Sequence, residues 1–384
     1  MTASEHLREK AILLKRIKRV VVKVGSGTLS NRAGINKARL RALVQEMAAL
    51  HRDNFDLVVV TSGAVAAGMA RLGRRERPKT IPQRQAAAAI GQIDLMALYE
   101  EYFDAVNIRV AQVLLTHDDL SNRGRYINAK HTIEALLQAR AVPVANENDT
   151  VAVEELNFGD NDNLSALVAT LVEADLLIIL SDVAGLYAED PRAHPDAPLI
   201  PLLRSDGAEA FQVSPTTGPL GTGGMAAKLS AARKASAAGI PTIIADGLHA
   251  GILPALFDPE REVGTLILPS GDRLARRKHW IAYTLHPAGT LVVDDGACAA
   301  VQQGGRSLLP SGIHEVRGDF DVGDCVRCLN REGREFARGL VNYGAVAIER
   351  IKGQHSSRIE ELLGYKIKDE VIHRDDLVLL DRLR

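Results

Sequence analysis

The chain has 384 residues, of which 46% are apolar, 25% charged and only 4% aromatic. At about 150 residues per domain this predicts two or three domains with room for a sizeable core, and the ordinary composition excludes a disordered or collagen-like chain. Lys+Arg 47 against Asp+Glu 48 leaves a net charge of -1, so the chain as a whole exerts no electrostatic pull on nucleic acid or anionic membrane, and small-molecule chemistry is the better expectation.

No apolar run approaches the roughly 18 residues of a membrane helix. The N-terminus offers only Ala11-Ile12-Leu13-Leu14, flanked by Glu5 and Glu9 before it and Lys15, Arg16, Lys18 and Arg19 after it, which is no signal peptide. A cytoplasmic protein with no membrane partner is expected. Three cysteines are an odd number with no disulfide framework. Cys325 and Cys328 form a lone C-x-x-C without the four ligands of a structural zinc, so they read as small residues in a strand.

In chain order, Leu7, Ala11 and Leu14 make an apolar helical stripe or a fraying end. Arg19 to Gly25 (RVVVKVG) is a short apolar run closed by glycine, as a buried parallel strand is before its turn. A helix follows over Asn36 to Arg52. Asp56 to Thr61 (DLVVVT) is a second strand, leading through Ser62-Gly63-Ala64 into an Ala-rich helix to Leu72. Further strands are predicted at Arg109 to Thr116, Val142 to Asn146, Ala174 to Leu180, Ile240 to Ala245 and Val263 to Leu268. Helices are predicted at Gln83 to Ala105, Arg125 to Ala139, Ser165 to Val172 and Met225 to Ala238. This alternation implies an α/β fold, a mostly parallel sheet covered by helices on both faces, with ligands at the C-terminal strand ends. Arg273 to Tyr283 reads as a basic linker helix, within a linker over 273–285. From His286 onward, short apolar runs alternate with Gly and Asp turns (GTLVVDDGA, RSLLPSGIHEV, GDFDVGDCVRCLN, GREFARGLVNYGAVAIER), which predicts a small β-barrel-like domain over 286–384 after a first domain over 18–272.

Neither common phosphate motif is present: there is no G-x-x-x-x-G-K-[ST], and Gly25-Ser26-Gly27 lacks the third glycine of G-x-G-x-x-G. Lys23 stands in an apolar strand, where an unpaired ammonium is costly; a lysine reaching past the strand end to water is the other reading. Asn146-Glu147-Asn148-Asp149-Thr150 and Gly159-Asp160-Asn161-Asp162-Asn163-Leu164 make good turns and N-caps, yet one cap needs one residue. Such a string at the ligand end of a sheet also suits a small zwitterion or an array of cations. Gly218-Pro219-Leu220-Gly221-Thr222-Gly223-Gly224-Met225-Ala226-Ala227-Lys228 runs into a helix, where free amides and the macrodipole favour phosphate. Lys228 falls in or near the first turn, a place that disfavours a cation unless a polyanion lies between; a surface lysine is the bland alternative.

These fragments resemble the glutamate 5-kinase family of amino acid kinases, over nearly the whole chain. VVVKVGSGTLS, VVVTSGAVAAG, NENDTV, FGDNDNLSALVA, SDVAGLY and GTGGMAAK occur in the family's order. VDDGA, RSLLPSGI, GDFDVGD and ARGLVNY are similar to the PUA domain of its longer members. The resemblance implies an amino acid kinase-like fold and transfer of the γ-phosphoryl group of ATP, with Mg²⁺, to the side-chain carboxylate of L-glutamate, the first step of proline biosynthesis. It further implies Lys23 and Lys228 as the catalytic cations with Asp162 between them, and Ser62, Asp149 and Asn161 as glutamate ligands. ATP would lie across Ser181-Asp182 and Thr222, Gly223, Gly224, Met225, Ala226, Ala227 and Lys228, with Gly25 and Gly27 letting backbone amides approach. L-proline as feedback inhibitor, glutamyl phosphate reductase as partner and a homo-oligomer belong to the same implication. The chain departs from the commonest pattern at Gly27, at Ala226-Ala227 and in about a dozen extra N-terminal residues. The metal ligands are not read from it.

Two rivals stand beside this reading. One is another kinase of the superfamily, acting on aspartate, carbamate or uridylate; the Asn146–Asp149 and Gly159–Asn163 runs favour glutamate. The other is an RNA-binding role through the PUA-like part. Residues 286–384 hold 3 Lys and 11 Arg against 9 Asp and 7 Glu, a net charge of -2, whereas phosphate-neutralising binders usually present a basic face.

Overall fold

The computed structural model describes residues 3–31, 34–74, 76, 78–152, 161–189, 194, 196–204, 224–269 and 287–380. The chain divides into two compact units, Met1–Leu120 with Ala129–Ser270, and Ser121–Asn128 with Gly271–Arg384. The strands of the first are β1 (Arg19–Val24), β2 (Ser30–Asn31), β3 (Gly34–Ile35), β4 (Asp56–Val60), β5 (Val110–Leu115), β6 (Val142–Glu147), β7 (Leu176–Ser181), β8 (Leu202–Arg204), β9 (Thr242–Asp246) and β10 (Thr265–Leu268). The helices before residue 270 are α1 (Ala3–Leu14), α2 (Ser26–Leu29), α3 (Lys37–Arg52), α4 (Ala64–Arg71), α5 (Ile81–Asp104), α6 (His117–Ser121), α7 (Arg123–Gln138), α8 (Asn161–Leu171), α9 (Met225–Ala237) and α10 (Ile252–Phe257).

Eight strands form one sheet in the order β5-β6-β4-β1-β7-β9-β10-β8. Neighbours are parallel from β5 to β9; β10 runs antiparallel to β9 and parallel to β8. The predicted mostly parallel sheet is therefore present, with β8 added; three residues are too short a run to register as a pattern. Val20, Val21, Val22, Val58, Val59, Ile178 and Ile179 on the central strands are fully buried, which is why those strands read as continuous apolar runs rather than alternations. Each such side chain contributes roughly 1.5–3 kcal/mol relative to exposure.

Helix α3 shows how the flanking layer is specified. Asn36 accepts from the Arg39 N–H and caps it, while Leu40, Leu43, Val44 and Met47 recur at helical spacing and are wholly buried in the main core. Helices α4 and α5 approach closely through glycine: a Cβ on Gly91 would lie 1.9 Å from the Ala64 carbonyl oxygen, and one on Gly68 would lie 1.8 Å from that of Ala87. No side chain fits at either place, and this crossing brings the middle of α5 up to the strand ends. At the N-terminus a helix does form, but the side chains it buries deepest are His6 and Lys10 rather than the apolar stripe.

The second unit carries a five-stranded sheet. Its strands are β11 (Gly289–Val293), β12 (Ile313–Arg317), β13 (Cys325–Leu329), β14 (Glu335–Leu340) and β15 (Leu377–Leu379), in the order β12-β11-β13-β14-β15. Only β11 and β13 pair in parallel. Cys325 and Cys328 are buried free thiols on β13. Two helices that the sequence reading did not expect are present, Asp295–Gln302 after the GTLVV run and Ala345–Ile351 within a run expected to be of β character. Asp294 caps the first by accepting from the Ala297 N–H; Ala345, Ile348 and Ile351 bury one face of the second, a period-3 spacing that short alanine-rich runs conceal. The linker over 273–285, with its expected helix from Arg273 to Tyr283, lies outside the described residues.

Candidate active site

The C-terminal ends of β1, β4, β6 and β7 converge with the N-termini of α4, α8 and α9. Lys23 is the penultimate residue of β1, level with Val60 on one side and Ile179 on the other. Its ammonium lies 2.6 Å from Asp162 Oδ1, and the Lys228 ammonium lies 3.4 Å from Asp162 Oδ2. The three side chains are 7%, 1% and 7% exposed, so the pairing takes place out of water. Burial alone would raise the Asp162 carboxyl, but the Lys23 and Lys228 ammoniums outweigh it and hold it below its ordinary value. A carboxylate shared by two cations relieves their mutual repulsion and aims both. Both lysines are thus buried in an ion-paired cluster, neither reaching past the fold into solvent.

Asn161, the residue before Asp162, faces the other half of the site. Its Nδ2 lies 2.7 Å from the Thr61 carbonyl oxygen, 2.8 Å from Ser62 Oγ and 3.0 Å from Asn146 Oδ1. Asn146 Nδ2 in turn donates to Gln92 Oε1 on α5 at 2.8 Å. Ser62 sits between β4 and α4, where Gly63 turns the chain with φ +106°, a left-handed angle suited to glycine. Beneath it Thr61 Oγ1 and the Tyr99 hydroxyl are 2.9 Å apart, both fully buried. The Asn161 Oδ1 atom is buried and has no partner among the described residues.

Asp149 lies on the turn after β6, where the N–H groups of Val151 and Ala152 both donate to the Asn148 carbonyl. Burial, helped by the charge of Glu147, pushes its carboxyl up to about 7. A carboxylate in that environment gains from a cation of its own. On the opposite side, Ser181 Oγ donates to Asp182 Oδ1 at 3.1 Å, and a Cβ on Gly27 would stand 3.3 Å from the Asp182 carboxyl carbon. The Gly25 N–H donates to the Leu180 carbonyl at 3.1 Å. A Cβ on Gly25 would sit 3.1 Å from the Leu180 carbonyl oxygen and 3.4 Å from the Lys23 ammonium. Gly224 precedes α9, whose first turn holds Met225, Ala226, Ala227 and Lys228. Thr222, Gly223, Gly159 and Asp160 lie outside the described residues.

Sequence reasoning gave no role to Gln92, Thr61 and Tyr99, and named Asn146 only as part of its run. Gln92 and Tyr99 fall seven residues apart on one face of α5, in a stretch that otherwise reads as packing. Only the fold brings them under the site.

The amino acid kinase family matches residues 18–246 and the PUA domain matches residues 289–363. A glutamate 5-kinase of Geobacter sulfurreducens is 50% identical over 370 residues, covering 96% of this chain and 99% of the relative. One of Geobacter metallireducens is 52% identical over 373 residues, covering 97% and 100%. One of Moorella thermoacetica is 48% identical over 375 residues, covering 97% and 99%. With two cations bound to one carboxylate at the end of a parallel sheet, and that degree of likeness along its length, the chain belongs to the amino acid kinase family, among its glutamate 5-kinases.

Proposed function

We propose that this chain transfers the γ-phosphoryl group of ATP to the side-chain carboxylate of L-glutamate, giving glutamyl 5-phosphate and ADP. The observation that carries the reading is the buried Lys23–Asp162–Lys228 cluster beside Ser62 and Asn161. A carboxylate is already a nucleophile: one of its oxygens forms the new bond to phosphorus as the bond to the β–γ bridging oxygen breaks, and no proton need move. The obstacle is repulsion between two anions, so catalysis rests on positioning and positive charge. Lys23 and Lys228 supply that charge, and Asp162 aims them. Ser62 and Asn161 hold glutamate, with Asp149 against its α-ammonium. ATP takes Ser181, Asp182 and the Gly224–Lys228 turn, with Gly25 and Gly27 leaving room for the transferring group. Residues 18–272 form the kinase domain and 286–384 the PUA domain, joined by 273–285.

Among the described residues no group of three or more His, Cys, Asp or Glu could hold a metal ion. Mg²⁺ would enter with the nucleotide. When bound, the ion neutralises part of the phosphate charge. L-proline shares the α-carboxylate and ammonium of glutamate but lacks the attacking group, so it competes for the same pocket, and rising glutamate relieves its inhibition. No helix among the described residues is long and apolar enough to cross a membrane.

The test is glutamate-dependent ADP release with hydroxylamine trapping of the acyl phosphate. ADP release that depends on glutamate and yields a hydroxamate, with no ADP release from aspartate, carbamate or uridylate, supports the reading; a preference for another acceptor overturns it. Proline inhibition unchanged at saturating glutamate would move proline to a separate site.

A further inference from the structure

Three amides run from the acceptor pocket into the body of the fold, and one atom fixes the orientation of all of them. The Thr61 backbone carbonyl can only accept, so the Asn161 atom 2.7 Å from it must be the nitrogen. The Asn146 atom 3.0 Å from that nitrogen must then be the oxygen, which turns the Asn146 nitrogen toward Gln92. The Gln92 atom 2.8 Å away must be an oxygen in turn. Reversing any one of the three sets like against like. At the pocket end this leaves Asn161 Oδ1 buried without a partner among the described residues, and at the far end Gln92 Nε2 in the same condition. Asn146 and Asn161 are 2% and 7% exposed, so water does not readily replace a lost member. Gln92 reaches Asn146 because the glycines of the α4–α5 crossing admit no side chain: its neighbour Gly91 has the Ala64 carbonyl where a Cβ would be.

We infer that Gln92 is a positioning residue for the acceptor pocket: its Oε1 anchors the Asn146 amide, which holds the Asn161 amide so that Oδ1 faces a donor on the substrate. This rests on the proposed placement of glutamate at Ser62 and Asn161. Gln92 itself touches neither substrate nor nucleotide. The role requires an acceptor oxygen at the end of the side chain and no proton of its own. Without that oxygen Asn146 is free to turn, Asn161 loses one of three acceptors, and the pocket loses definition for glutamate while the Lys23–Asp162–Lys228 cluster keeps its geometry.

The experiment compares Gln92→Met, which matches the volume and lacks the acceptor, with Gln92→Glu, which keeps it, in the full chain with glutamate and ATP each varied. Gln92→Met is expected to raise the glutamate KM roughly fivefold to tenfold, the size of one hydrogen bond, with kcat within about threefold and the ATP KM unmoved. Gln92→Glu is expected to return the glutamate KM to within about threefold of wild type. In an Asn161→Ala background Gln92→Met should add nothing, because the amide it serves is gone. A wild-type glutamate KM in Gln92→Met, an equal rise in both KM values, equal damage from Met and Glu, or full additivity with Asn161→Ala each overturns the inference. Should Gln92→Met fail to fold, Gln92→Lys against Gln92→Glu poses the same contrast at similar length. The reading beneath it fails differently: if Asn161→Ala leaves the glutamate KM unchanged, glutamate is not held there, and the inference about Gln92 falls with it.

Discussion

Two regions of the first unit bury lysines, and they do so by opposite means. At the sheet's ligand end, Lys23 and Lys228 are 5% and 6% exposed and share the Asp162 carboxylate. Under the N-terminal helix, Lys10 is 1% exposed and, among the described residues, donates its hydrogen bonds to carbonyls, to Arg261 O at 2.7 Å and Ala255 O at 3.3 Å. Burial pushes the Lys10 ammonium down to about 8, only partly opposed by the charge of Asp258. The contrast teaches that depth does not decide what a lysine does; the charge of its partner does. An ammonium facing a carboxylate is fixed as a cation and can act on a phosphate. One facing carbonyls is a hydrogen-bond donor for the open end of α10, a task a neutral amine performs as well.

The largest break in this comparison comes from Lys23 and Lys228, the proposed catalytic pair. Lys23→Ala and Lys228→Ala should each lower kcat about 10²–10³-fold, the usual loss of a preorganised charge contact in a water-poor site. Steady-state rates at saturating ATP and glutamate, with thermal unfolding as a check on the fold, measure it. Near wild-type kcat in either variant would make these lysines no different in kind from Lys10. A smaller loss, about tenfold to hundredfold in kcat with modest KM changes, is expected for Asp162→Asn. That substitution keeps the shape and removes the charge that aims both ammoniums. An effect mainly on the glutamate KM would instead place Asp162 in the acceptor pocket.

The sequence shows the charged half of the site more readily than the amide half, for a physical reason. A lysine inside RVVVKV, and a second in the first turn of a helix, violate local rules, and a violation is visible without the fold. The Asn161 and Asp162 run is visible for the same reason. Gln92 violates nothing: a glutamine on a helix is ordinary, and its partner Asn146 is 54 residues away. Lys10 likewise resembles a solvated lysine until α10 is packed over it. The parallel sheet was legible because its strands are buried on both faces; β8 and the helices at Asp295–Gln302 and Ala345–Ile351 were not, being too short or too rich in alanine to declare a period.

Asp149 sharpens the comparison from the anionic side, since it is buried with another carboxylate rather than with a cation. With its pKa raised to about 7 by burial and Glu147, it is neutral in the free protein below that pH and ionised above it. If it pairs with the α-ammonium, kcat/KM for glutamate should fall about tenfold per unit below pH 7, with the ATP term unaffected. Asp149→Asn should raise the glutamate KM and flatten this limb of the profile. A wild-type profile that stays flat well below pH 7 would remove Asp149 from that role.

The smallest effect concerns Lys10 and is one of stability alone. Its ordinary pKa of 10.5 applies in the unfolded chain and about 8 in the folded one, so between those values the unfolded chain binds more protons. Stability attributable to Lys10 therefore rises as pH climbs through that window and is flat below it. Lys10→Met removes the titration and leaves the Ala255 and Arg261 carbonyls without their donor, two changes of opposite sign whose balance depends on pH. Below about pH 8 the variant should be nearly as stable as wild type, because the charge it removes was costly to bury. Toward pH 10 wild type should gain on it, because a neutral amine still donates. Denaturant midpoints of both proteins across that range measure the difference, with His6, whose pKa is lowered by burial, titrating below 6.5 and outside the window. The kcat at neutral pH should not change, since Lys10 touches nothing in the site. A stability difference that is constant with pH would mean that Lys10 keeps its proton throughout, and that carbonyl oxygens hold an ammonium as firmly as Asp162 does.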